Sequence, residues 1–314
     1  MSKSGFKALA FGLAVTAAAG AAGAQDLVKE GLASFPPDTI RLEYSNVSKL
    51  RALPDYATLH QHYLAPSLRS LETQLASLGV QESDINEVVL AWQLAGDGMT
   101  FEGLASGRLD PQAMARQAAI QNITTLPAGS ATAYCFGTTD SAQCVAPLGG
   151  SLGAFGTLDQ LRTLAGARGG QTASLRSNAA FTSLVERQEG EDAPIWGVAV
   201  GPAIEDWFKV SMPAQKNLPV DLPTVFHNVQ SLGYAVQPTD RVRINMELNC
   251  TTAAAAGNLR QEFDALRLFQ RLAWQRQFPN VANPFDDLAV NANDTTMTLS
   301  MSTPYSAIEA AVKQ

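Results

Sequence analysis

The sequence predicts an α+β protein built from two pseudo-repeated units of mainly antiparallel sheet with helices packed on one face. Runs of alternating apolar residues come in pairs separated by turn residues, which indicates antiparallel hairpins. Capping residues precede amphipathic segments between these pairs, which indicates helices. The same order of strands and helices is found in both halves of the chain, and hairpins joined by helices are typical of α+β folds.

In the first half, a strand and a short helix are followed by a long helix from Pro54, with a kink or a break expected at Pro66. The dipeptide Asp97–Gly98 predicts a tight turn between two strands. Asp110 caps the next helix, and Thr157–Gln160 forms a capping box for the last one. The predicted strands of this half are 36–45, 87–95, 99–107, 131–135 and 144–155.

The second half has the same order. A strand at 194–201 is followed by a short helix at 202–208 and a longer helix at 222–233. A hairpin then turns at Pro238–Asp240, and its second strand alternates strictly between apolar and polar residues. Thr252 caps a long helix, and the last predicted elements are two strands, 287–292 and 295–302, and a final helix after Thr303.

Three features recur in the two halves: the sequence Ser-Leu-Gly at 77–79 and 231–233, the hairpin turns at 97 and 240, and the helix caps Thr157 and Thr303. The members of each pair lie between 143 and 154 residues apart, which favours an internal duplication. The alternative is that unrelated α+β sequences look alike at this level. The predicted organisation is a signal peptide at 1–24, a first unit at 25–170, a helical linker at 171–192 and a second unit at 193–314.

The first 24 residues have the pattern of a secretory signal peptide. Lys3 and Lys7 precede an apolar Ala/Gly-rich stretch, and Ala22–Ala24 offers a cleavage site before Gln25. The stretch is shorter than the roughly 20 apolar residues of a membrane-spanning helix. We therefore expect a periplasmic or secreted protein that is not inserted in a membrane after cleavage.

The segments SGRLDPQAM, ATAYCFG, LGAFGTLDQLRTL, SLRSNAAFTSLV and PIWGVA follow one another in this order. This order resembles that of uncharacterised exported bacterial proteins with a duplicated ferredoxin-like α+β plan. The resemblance covers most of the mature chain. It implies a fold but no activity and no catalytic residues.

Export would place the three cysteines in an oxidising compartment, where disulfides form and persist. Cys135 and Cys144 flank a turn-like run between two predicted strands, so we expect a disulfide that closes a hairpin. Neither belongs to a CxxC pair, and no histidine is near them in sequence, which disfavours zinc. Cys250 ends a strand and is expected to be a buried free thiol.

Charge argues against nucleic-acid binding. The chain has 22 Lys and Arg against 29 Asp and Glu, a net charge of -7 and no basic cluster. His60 and His62 diverge on a helix, so they are not expected to bind one metal ion. The acidic run 189–192 is expected to be a solvated linker rather than a calcium site, and the pair Asp286–Asp287 is expected to belong to a turn. No cofactor and no metal are predicted.

One motif points to catalysis. Gly149–Gly153 matches the G-x-S-x-G pattern of a serine nucleophile, and Asp206 or Asp221 followed by His227 would complete a triad. The pattern requires a helix directly after Ser151, whereas the next helix cap is Thr157. Ser151 with His227 is therefore a weak candidate pair.

The leading hypothesis is a protein without catalytic chemistry that acts by binding or as a structural component of the envelope. A second hypothesis is a pocket for a small apolar ligand between the two units, to which the four tryptophans could contribute if they do not simply pack in the core. The third is a serine hydrolase using Ser151. Those tryptophans are Trp92, Trp196, Trp207 and Trp274.

Overall fold

A computed structural model describes residues 27–53, 56–64, 66–95, 98–201, 204–205 and 226–312. Within them, twelve strands form a single sheet in which every neighbouring pair is antiparallel. The strand order is β11-β12-β10-β9-β8-β1-β2-β3-β7-β6-β5-β4. The predicted α+β class with antiparallel pairing is thus confirmed.

Most strands follow the alternating segments of the sequence, because alternation of apolar and polar residues places the apolar side chains together on one face of a pleated sheet. Their bounds are β1 Arg41–Ser45, β2 Ile85–Ala95, β3 Gly98–Gly107, β4 Thr124–Ala128, β5 Ala131–Phe136, β6 Gln143–Pro147, β7 Leu152–Thr157, β8 Ile195–Val200, β9 Val229–Pro238, β10 Val242–Cys250, β11 Ala289–Asn293 and β12 Thr296–Thr303.

Helices begin where the sequence supplies caps. The Asp110 side chain accepts a hydrogen bond from the Gln112 N–H, and both bonds of the Thr157–Gln160 capping box are present. Thr252 caps the longest helix in the same manner. The helices are α1 over 27–34, α2 Val47–Arg51, α3 Tyr56–Tyr63, α4 Pro66–Ser77, α5 Pro111–Gln121, α6 Leu158–Arg168, α7 Ala179–Glu189, α8 Ala253–Gln277 and α9 Tyr305–Val312.

Helices cover both faces of the sheet, whereas the sequence predicted helices on one face. Leu104 of β3 belongs to a core cluster with residues of α1, α6 and α7. Its neighbour Ala105, which points to the opposite face, belongs to a cluster with residues of α4 and α5. The second layer forms because these strands carry apolar residues on both faces, and both sets must be buried.

Segment 171–192, predicted as a linker, contributes to the main core. Phe181, Leu184 and Val185 of α7 are buried there with Trp196 of β8. These side chains pack α7 directly against the middle of the sheet.

Strand order has the same form on both sides of the β1–β8 pair. It reads β1-β2-β3-β7-β6 in one direction and β8-β9-β10-β12-β11 in the other. One of the marks used to infer duplication has different structures in the two halves, since Ser77 ends α4 while Ser231–Gly233 lies within β9. Duplication stays a prediction.

The predicted helix over 222–233 is wrong for its described residues. Phe226–Asn228 form a single 3-10 turn, and β9 begins at Val229. The apolar spacing fitted a helix, but β9 fills the position between β8 and β10, where both neighbours pair with it. The run 144–155 is likewise two strands, β6 and β7, and β4 was not predicted.

The disulfide between Cys135 and Cys144 is confirmed. The two residues are direct partners in the β5–β6 pair, with Cα atoms 4.0 Å apart. Cys250 is buried as a free thiol, as predicted, and burial raises its pKa.

Candidate functional site

One row of neighbouring side chains crosses the middle of the sheet and forms the floor of a cavity. Each residue of the row is the register partner of the next on the adjacent strand. From β2 to β12 the row consists of Val88, Ser45, Ile195, Val236, Ile244 and Met301, all of which line the cavity.

Ala105 of β3, the partner of Val88, extends this floor to a seventh strand. Since adjacent strands lie about 4.8 Å apart, the floor is about 29 Å long. The cavity has a volume of about 750 Å³ and extends along this floor.

Two groups of helices cover the floor. On the side of β1–β3, the lining comes from α2, α3 and α4, for example Leu50, Leu68 and Leu75. On the side of β9–β12, it comes from the end of α8, the segment at 284–285 and α9. The cavity therefore spans the junction of the two predicted units, and its lining is almost entirely apolar.

The ionisable lining residues that the structure describes lie at the α3–α4 end. Nε2 of His60 is 2.8 Å from Oε1 of Glu72. The Tyr56 hydroxyl donates to Oε1 of Glu82 at 2.7 Å, and burial together with this bond raises the Tyr56 pKa. Arg51 also bonds Glu82, through its carboxylate at 3.3 Å and its carbonyl at 2.6 Å.

At the α8–α9 end the cavity presents an apolar surface. Trp274 lines it beside Phe285, with ring centroids 6.4 Å apart. The Thr303 hydroxyl and the Trp274 indole N–H have no hydrogen-bond partner, and both polar atoms are covered by protein atoms. The surface that Trp274 and Thr303 present to the cavity is therefore apolar.

A polar cluster lies next to the floor on the same face of the sheet. Glu43 of β1 accepts hydrogen bonds from Arg41 and from the Tyr234 hydroxyl. Its other oxygen accepts from the Trp92 indole N–H at 2.7 Å. Burial lowers the pKa of Arg41 and raises that of Tyr234. These bonds connect β1, β2 and β9 beside the cavity.

The structure does not bring Ser151 and His227 together. Ser151 is exposed in the bend between β6 and β7. His227 precedes β9, five strand positions away from β7, or about 24 Å along the sheet. The His227 ring bonds Glu205 instead, at 2.7 Å. Asp206 and Asp221 lie outside the described residues.

The other residues singled out in the sequence have separate positions. His60 pairs with Glu72, whereas the His62 side chain lies outside the described part. No group of three or more metal-binding side chains occurs among the described residues. Of the tryptophans, Trp274 lines the cavity and Trp196 is in the main core, while Trp207 is not described.

Sequence reasoning missed the floor residues. The signal was present, since Ser45, Val88, Ile195, Val236 and Ile244 each lie in a recognisable strand. Their alignment in one row depends on strand order and register, which strand patterns alone do not give.

No family model matches the chain, and no curated protein matches it. Among solved structures, crystal form I of TP0453, from Treponema, is similar at a TM-score of 0.49 and 10% identity, over 90% of this chain and 96% of that one. Crystal form III of TP0453 gives a TM-score of 0.49 and 9% identity, over 90% and 98% of the two chains. Similarity at this level does not indicate a shared activity.

Proposed function

We propose that this protein binds a lipid-like apolar ligand in the cavity. The observation that supports this most directly is the floor of the cavity. Six of its seven residues are apolar, and the two groups of helices described above cover it. The cavity volume is within the range of ligand-binding sites. A binding role fits the residues better than a catalytic one, because the only nucleophile motif found in the sequence has its candidate histidine in the turn before a distant strand.

The dimensions favour an extended hydrocarbon chain over a compact molecule. One leaflet of a bilayer contributes about half of its roughly 30 Å hydrocarbon core, so an acyl chain is about 15 Å long. The floor accommodates such a chain together with a head group. Burial of each methylene contributes about 0.8 kcal/mol, so about ten methylenes outweigh the lower estimates of the free energy lost on association.

We also propose that residues 1–24 are removed on export. The Cys135–Cys144 disulfide supports an oxidising compartment. No helix in the described residues has the length and apolar character needed to cross a membrane. Intact mass measurement on protein from the host envelope should give a chain that starts at Gln25, and a full-length mass would contradict cleavage.

Ligand binding is tested with N-phenyl-1-naphthylamine, whose fluorescence rises in apolar sites. We expect saturable binding that hexadecanol displaces. Val236→Trp, next to the central residue of the floor, should fill the cavity and lower probe affinity at least tenfold.

The matched control is Thr298→Trp, which places the same side chain at an exposed position of β12. It should leave probe affinity within twofold of the wild type. Equal binding by the wild type and a folded Val236→Trp variant would contradict the proposal.

A further inference from the structure

The two ends of the cavity differ in charge. At the α3–α4 end, the described lining residues include two carboxylates, Glu72 and Glu82, and one imidazole, His60. At the α8–α9 end, none of the described lining residues is ionisable. An amphiphile has the same asymmetry, with a polar head and an apolar tail, so the cavity can bind it in only one favourable direction.

The carboxylates at the polar end remain accessible. The side chains of Glu72 and Glu82 are 31% and 29% exposed, and each uses Oε1 for the bonds described above. With its second oxygen, each carboxylate can accept a further hydrogen bond. Arg51, the nearby guanidinium, donates to Glu82 and to the Ile85 carbonyl.

The chemistry of the head group follows from these acceptors. A hydroxyl or ammonium head donates hydrogen bonds to the carboxylates, and the bonds are charge-assisted. A carboxylate or phosphate head would meet the like charge of Glu72 in a partly desolvated site, whereas the charge of Glu82 is paired with Arg51. The tail would then lie over the floor toward Trp274 and Phe285.

Building on the proposed ligand binding, we propose that the cavity selects a long-chain amphiphile with a hydrogen-bond-donating head that carries no negative charge. The head lies between α3 and α4 near Glu72, and the chain end lies near Trp274. Glu72 is the residue that discriminates against anionic heads. Alcohols and amines share this donor chemistry, and the experiment below separates them.

Selectivity is measured by displacement of N-phenyl-1-naphthylamine at pH 8 with three ligands of equal chain length, hexadecanol, hexadecylamine and hexadecanoate. Hexadecanoate should bind at least tenfold more weakly than hexadecanol. A hydroxyl-bearing ligand is indicated if hexadecanol binds as tightly as the amine or more tightly, and an ammonium ligand if the amine binds more tightly. Equal or tighter binding of hexadecanoate would overturn the selectivity.

Glu72→Gln tests the named residue. The variant should reduce the preference for hexadecanol over hexadecanoate at least threefold. Glu186→Gln, an exposed position on α7, is the matched control and should keep the wild-type preference. An unchanged preference in Glu72→Gln would show that Glu72 does not discriminate against anionic head groups.

Orientation is tested by tryptophan quenching. Hexadecanol brominated at its chain end should quench fluorescence more than hexadecanol brominated beside the hydroxyl, and Trp274→Phe should abolish the difference. The reverse order would place the head at Trp274 and overturn the orientation. If neither the probe nor any of the three ligands binds, the proposed function itself fails, whereas binding without selectivity overturns only the present inference.

Discussion

The ring of Tyr234 lies directly over Gly197, its register partner on the adjacent strand. A Cβ atom at Gly197 would be 2.6 Å from the Tyr234 ring and hydroxyl. The missing side chain allows the ring to cross β8, so that its hydroxyl bonds Glu43 on β1. Gly197 thus allows the hydrogen bond between Tyr234 and Glu43 to form across the junction of the two predicted units.

Gly197→Ala should destabilise the fold by about 1–3 kcal/mol, because the new methyl group displaces the Tyr234 ring. Urea unfolding measures the change. Gly257→Ala is the control, since a Cβ at that helical position meets open space and alanine favours helix. A Gly197→Ala variant as stable as the wild type would show that the ring moves without loss.

Glu43→Ala should destabilise the protein by about 2–4 kcal/mol, because the substitution removes the carboxylate that Arg41 and Trp92 bond in a site shielded from water. The double variant Arg41→Ala/Glu43→Ala should lose less than the sum of the two single variants. This coupling is read from a double-mutant cycle in urea. Additive losses would mean that the pair does not interact in solution.

Removal of the disulfide should lower the free energy of unfolding by about 2–3 kcal/mol, since it closes a short hairpin loop. The double variant Cys135→Ala/Cys144→Ala provides the measurement. Dithiothreitol should lower the stability of the wild type by a similar amount and leave the double variant unchanged. Equal sensitivity of the two proteins to dithiothreitol would contradict this interpretation.

Glu102 should make stability fall as pH rises. Its side chain is buried, with 1% exposure, and neither carboxylate oxygen has a hydrogen-bond partner. Burial, with a smaller contribution from the charge of Asp38, raises its pKa from the ordinary value of 4.5 to about 8. The folded protein therefore holds a proton that the unfolded chain releases between these pH values, and stability declines across that window.

Glu102→Gln removes this dependence. The variant should be more stable than the wild type by about 2 kcal/mol or more at pH 8, since each pKa unit corresponds to about 1.4 kcal/mol, and nearly equal to it at pH 4.5. Chemical unfolding at a series of pH values gives the difference curve. Glu186→Gln, which is exposed, should follow the wild type at every pH.

Strands and helices with strong local signals were predictable. The capping residues Asp110, Thr157 and Thr252 each open a helix in the structure. The direct pairing of Cys135 with Cys144 also followed from a turn between two strands. In these cases the determining interactions lie within a few residues of one another in sequence.

Segment 229–233 was not predictable in the same way. Its apolar spacing fits a helix, but pairing with β8 and β10 makes it a strand. The cavity could be suspected between two units, but its floor could not be assigned, because Val236 meets Ile195 and Ile244 only through the strand register.

By itself, the sequence determined the α+β class, the disulfide and the capped helices, because alternation, turn residues and side-chain caps act over short distances along the chain. Only the tertiary structure decided that twelve described strands join in one sheet, that helices cover both of its faces and that a single register row forms the cavity floor. These features depend on contacts between residues far apart in sequence, and many strand orders satisfy the same local patterns.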